Sequence, residues 1–186
     1  TERLMKNTIH LSALGPVLLG LVSFTTSAQA AGVDAGTLIQ NTASATYTSG
    51  TSSGSVTSNT VTIKVDELLD VAVAGVDASP ISTGAGTSVL SYTLTNTGNG
   101  PEAFSLTANA TVSGNDFDTT IVSIVIDSNG NGTYDAGVDT VLTGGAATPL
   151  IAADESLKIF VIVSLPAGAT DAQTSQVRLT ADAVTG

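Results

Sequence analysis

The chain has no cysteine and no tryptophan, and its single histidine (His10) and single methionine (Met5) both lie near the N-terminus. Beyond residue 30 there is thus no imidazole or thiolate. That excludes a His–Ser or His–Cys catalytic pair and side-chain ligation of zinc, copper, haem or iron–sulfur clusters. Disulfides are excluded as well. Two carboxylates can still do acid chemistry, but sugar-cleaving sites pair them with aromatic platforms, and aromatics are 4% here. The inventory predicts a protein that is not an enzyme. Basic residues are scarce too, 5 against 16 acids. Nucleic acid and anionic lipid are repelled by such a balance, and nucleic acid is excluded as a partner.

What is present begins with a leader. Met5-Lys6-Asn7-Thr8-Ile9-His10 is a short positive start, preceded by Thr1–Leu4. Leu11–Phe24 is apolar, the length of a signal-peptide core and too short for a bilayer span. Ala28-Gln29-Ala30 supplies an A-x-A cleavage pattern, so residues 1–30 read as a cleaved signal peptide. The mature chain is expected to be secreted, at the cell surface, with no membrane span. Losing Glu2, Arg3 and Lys6 leaves 15 acids against Lys64, Lys158 and Arg178, a net charge of −12.

Thr, Val, Ser, Gly and Ala dominate the remainder, and β-branched residues favour strands. Ile39, Ala43, Ala45 and Tyr47 alternate with hydroxylated residues on one candidate strand, and Val61, Ile63 and Val65 on a second. The spacing predicts a β-hairpin over 31–66, with 48–55 as a flexible turn or loop. From residue 67 to 186, strands recur about every ten residues. Their inward sets begin with Leu69, Val71 and Val73, then Leu90, Tyr92 and Leu94, then Phe104, Leu106 and Ala108. Val122, Ile124 and Ile126 follow, and Val177, Leu179, Ala181 and Ala183 come last. Leu157–Leu165 is nearly continuous apolar, as in a central strand covered on both faces. The predicted fold is an all-β antiparallel sandwich with an N-terminal hairpin extension.

Tyr92-Thr93-Leu94-Thr95-Asn96-Thr97-Gly98 resembles the immunoglobulin-like repeat domains of bacterial and archaeal surface proteins, where such a strand runs into an Asn-x-Gly turn. Residues 66–186 fit that pattern, and Asn41–Tyr47 and Ser58–Ile63 resemble segments common in those proteins. The resemblance implies an immunoglobulin-like sandwich on the cell exterior. A single such domain is present, where many relatives string several together.

One loop carries a chemical spacing. Asp127, Asn129, Asn131 and Asp135 sit at positions 1, 3, 5 and 9 of a calcium loop, with Gly132 at the sharp turn and the Thr133 carbonyl at position 7. Position 12 is Val138, and Asp139 one residue later is the substitute ligand. Asn129-Gly130 and Asn131-Gly132 are equally strong turn dipeptides that need no ion, so turn and calcium both stand. Asn115, Asp116 and Asp118 read as a solvated loop, and Lys64 and Lys158 as solvated lysines at strand edges.

Two functions fit. One is a subunit of an extracellular filament, self-associating by adding its 31–66 strands to a neighbour, with Ile39, Ala43, Ala45, Tyr47, Val61, Ile63 and Val65 as the inserted side chains. The other is an adhesion module for a glycan or protein ligand, read through loops 110–120 and 127–140.

Overall fold

The computed structural model describes residues 32–77, 80–84 and 86–185, so the signal-peptide reading of 1–30 lies outside the described residues. The described residues are all-β. The strands are β1 (Leu38–Asn41), β2 (Ser44–Ser49), β3 (Ser52–Thr57), β4 (Val61–Lys64), β5 (Val71–Gly75), β6 (Thr87–Asn96), β7 (Phe104–Asn109), β8 (Thr120–Ile126), β9 (Thr140–Leu142), β10 (Ser156–Ser164) and β11 (Arg178–Ala183). Every ladder is antiparallel. No helix among the described residues is long and apolar enough to cross a membrane.

Two sheets face each other. One is five-stranded, β5-β6-β10-β8-β9, and the other pairs β11 with β7. Alternation decides what lies between them. Leu94, Ile126, Ile159, Val161 and Val163 point in from the larger sheet and meet Phe104, Leu106 and Leu179 of the smaller. β10 is covered on its other face as well, where Phe160 and Ile162 pack with Val125 and the half-buried Val89 and Tyr134. A strand buried on both faces reads as an unbroken apolar run, as Ile159–Val163 does.

Three local expectations are corrected. Val122 is exposed, because a bulge against Ile162–Val163 skips it and turns Ile121 to the core instead. Leu69 precedes β5, and β9, too short to show alternation, was missed in the sequence. The expected loop 48–55 is mostly strand. β2 and β3 pair up to Ser49 and Ser52, leaving Gly50 and Thr51 as a two-residue turn. Gly50 has φ +63°, the first central position that a type II′ hairpin turn gives to glycine.

β6 ends on Asn96, which is 1% exposed. Burial obliges its amide to find partners. Its Nδ2 donates to the carbonyls of Gly100 and Ile151, each at 2.8 Å, and its Oδ1 accepts the Gly98 N–H at 3.0 Å. Gly98 is held so close that a Cβ there would lie 2.4 Å from the Leu68 carbonyl. Replacing Asn96 by Ala strands the Gly100 carbonyl and the Gly98 N–H, each worth about 1–3 kcal/mol if left unpaired, while the Ile151 carbonyl keeps the Glu102 N–H. The expected result is a midpoint lowered by roughly 10 °C in thermal unfolding, whereas Val122→Ala on the surface leaves it nearly unchanged.

Candidate functional site

Strands β1 to β4 form a ribbon. β1 pairs with β4, Ile39 opposite Ile63 and Asn41 opposite Val61. β2 pairs with β3, Ala45 opposite Val56 and Tyr47 opposite Gly54. Opposite residues share a face. Between the two ladders, three residues (Ser58–Thr60) stand against two (Thr42 and Ala43), an irregularity of the bulge kind. Ala43 lies in it, giving its N–H to Ser58 Oγ and accepting the Ser58 N–H. The extra residue shifts the returning strand from odd to even positions. Val56 therefore joins the face of Ala45 and Tyr47, a member that strict alternation from Val61, Ile63 and Val65 could not find. Val65 falls just past β4, half-buried, its N–H bonded to the Thr37 carbonyl at 2.8 Å.

This apolar set is uncovered. Tyr47 is 60% exposed, and Val56 and Ile63 are each 59% exposed. The Tyr47 ring lies over Gly54, where a Cβ would come within 2.6 Å of ring carbon and hydroxyl. An aromatic thus covers the gap that a strand glycine leaves.

Asn99 roots the ribbon. Its Oδ1 accepts the Leu68 N–H at 2.7 Å, and its Nδ2 donates to the carbonyls of Val33 at 3.2 Å and Asp66 at 3.0 Å. Its backbone carbonyl accepts the Ala35 N–H at 2.8 Å, and its N–H donates to the Leu68 carbonyl at 3.2 Å. One side chain therefore grips the chain on both the entering and the leaving side of the ribbon.

The 127–139 loop is closed by its own amides. Asp127 and Asp139 are buried. Asp127 Oδ1 and Oδ2 accept the N–H groups of Gly130 and Gly132, each at 2.8 Å. Asp139 Oδ1 and Oδ2 accept those of Ser128 at 3.1 Å and Asp135 at 2.8 Å. Asn129 Oδ1 and Asn131 Oδ1 accept the N–H groups of Asn131 and Thr133. The Asn129 and Asn131 nitrogens both donate to Asp135 Oδ2. Those amides present nitrogen, not oxygen, toward the carboxylate, and among the described residues no group of three or more acids or histidines is placed to hold a metal ion. The loop is held by hydrogen bonds among its own residues. The closed loop instead sets Tyr134 edge-on over Phe160, ring centroids 6.1 Å apart at 62°, and so roofs the outer face of β10.

Two further groups differ from the sequence reading. Asn115 and Asp116 are not a free solvated loop. Asn115 exchanges hydrogen bonds with the backbone of Gln176, and Asp116 Oδ2 accepts the Thr174 N–H at 2.7 Å. Glu102 gave no signal in the sequence. It is buried, and its Oε1 accepts the N–H groups of Ala103, Val184 and Thr185 while Oε2 accepts the Thr185 hydroxyl. Family models, curated proteins and solved structures were compared with the chain, and none matches.

The donors around two carboxylates set a pH dependence. The Thr185 hydroxyl, ahead of the backbone amides, holds Glu102 below its ordinary pKa, against the opposing effect of burial. The side chains of Asn129 and then Asn131 do the same for Asp135. A carboxyl lowered in the folded state is protonated more readily in the unfolded chain. Its stabilisation is thus present above the ordinary carboxylate range and is lost as pH falls through the folded pKa. Denaturant unfolding from pH 7 to about pH 3 should show that acid loss, and Glu102→Gln with Asp135→Asn should flatten its slope. An unchanged slope would contradict the assignment.

Proposed function

We propose that this chain is a non-catalytic, exported structural subunit with an immunoglobulin-like sandwich, and that it builds an extracellular filament or surface assembly by β-strand addition between copies. The observation that carries this reading is the bare ribbon. Leu38, Ile39, Tyr47, Val56, Val61 and Ile63 are all exposed on four strands that bury none of their residues. An isolated two-stranded ribbon is marginal in water at best, and contiguous exposed apolar surface marks an interaction site. Its strand edges offer main-chain hydrogen bonds to a neighbour, and alternate side chains offer register.

Charge supports the same choice. From Ala35 to Ile63 no residue is charged, in a chain otherwise rich in acids. Two copies of an acidic body repel each other, and the ribbon is the segment that approaches a second copy without adding to that repulsion. The competing reading is a monomeric adhesion module whose ribbon serves a glycan or a different protein.

Electron microscopy separates them. The compact unit Ala31–Gly186 should form regular filaments. A version beginning at Asp66, and the full unit carrying Ile39→Asp with Ile63→Asp, should form none. Monomers from the unaltered unit would sink the assembly reading and leave the binding module.

A further inference from the structure

β6 is longer than its neighbours. β5 pairs with it only over Tyr92–Asn96, and among the described residues no strand pairs with Thr87–Leu90 on that side. The small sheet is short as well. β11 begins at Arg178, level with Tyr92, whose hydroxyl donates to the Val177 carbonyl at 2.7 Å. Past that point, toward Thr87, the inward face of β6 is roofed by loops instead of strands. A cavity of about 860 Å³ remains there, floored by Leu90, Tyr92 and Val163 and walled by Ser88 and Phe117. Thr119 and Ser175 are among its lining residues, with their hydroxyls sealed off from it. The ladder beside the cavity is short of a strand.

We propose that this cavity is the acceptor for the ribbon tip of a second copy of the chain, with Tyr47 and Val56 entering over Leu90 and Val163. The inference rests on the assembly reading above and names where the donated strand goes. Position argues for it. The ribbon is rooted at Asn99, just beyond one end of β6, and the cavity lies toward the other end, over Ser88–Tyr92, roughly 20 Å from Asn96 at the rise of a strand. Donor and acceptor at opposite ends of one body make a heterologous contact that repeats without closing, which is a filament.

The chain has no cysteine, so single-cysteine variants report the contact cleanly. Tyr47→Cys in one preparation of Ala31–Gly186 is mixed with Ser88→Cys in another under mild oxidation. Thr83→Cys, on an exposed part of the same wall, is a second reporter should the Ser88 variant misfold. The expected result is a disulfide between two copies, about tenfold more abundant than with Val122→Cys on β8 as partner, since the bond forms only at close range. Filaments without that disulfide at either wall position would overturn the acceptor cavity while leaving strand addition intact. Neither filaments nor disulfide would overturn both. A disulfide formed inside one copy of the Tyr47→Cys, Ser88→Cys double variant would overturn the inference as well, since the ribbon would then fold back on its own body.

Discussion

The fold depends on one turn, Asn96 to Gly100. Asn96 faces inward and Asn99 outward, and each satisfies backbone groups that belong to other segments. The buried amide of Asn96 ties the end of β6 to Ile151 and to its own turn. The amide of Asn99 ties that turn to Val33, Asp66 and Leu68, on both sides of the ribbon. Gly98 between them has no room for a side chain. The Asn-x-Gly-Asn run is therefore more than a place where the chain reverses. It is the joint between a packed body and an unpacked ribbon, made of side-chain-to-backbone and backbone hydrogen bonds together.

Such a joint suits a chain that cannot use covalent staples. With no cysteine, the body must be held by its core and its ladders, and β10, buried on both faces, supplies the densest part of each. The buried acids follow the same economy. Asp127, Asp139 and Glu102 are surrounded by N–H groups of the main chain instead of cations, so that each buried charge fixes a loop or a strand end. Since burying a carboxylate without partners is costly, these loops cannot open without exposing an unpaired charge or amide.

Much of this was legible in the residues. Period-two alternation found most of the body strands, and the nearly continuous apolar run Leu157–Leu165 identified β10 as the central strand. Alternation failed where a bulge intervened. Val122 was assigned to the core because nothing in the sequence marks the skipped pair, and Val56 was missed because the irregularity at Ser58–Thr60 changes parity within one ribbon. The loop 127–139 shows a different limit. Oxygen spacing suits a cation, yet the same Asp and Asn residues suit Asx turns, and only geometry shows which donors they meet. Glu102 was invisible for a related reason. A lone Glu in a turn looks solvated until the distant segment Val184–Thr185 is brought to it.

Strand length, which alternation does not encode, explains the remaining asymmetry. A ten-residue β6 set against a five-residue β5 and six-residue strands in the small sheet cannot be covered along its whole length. The uncovered part must be roofed by loops or left open, and here both occur. Asn115 and Asp116 pin the Thr174–Gln176 segment as a partial roof, while a cavity remains beneath it. Lengthening β5 and the small sheet would seal the body and remove any use for an exposed apolar ribbon. A body with an unfilled end and a ribbon with an unburied face are complementary deficits, and in a single copy they lie at opposite ends of the same strand. In the proposed assembly, two copies in line would resolve both at once, with no covalent bond.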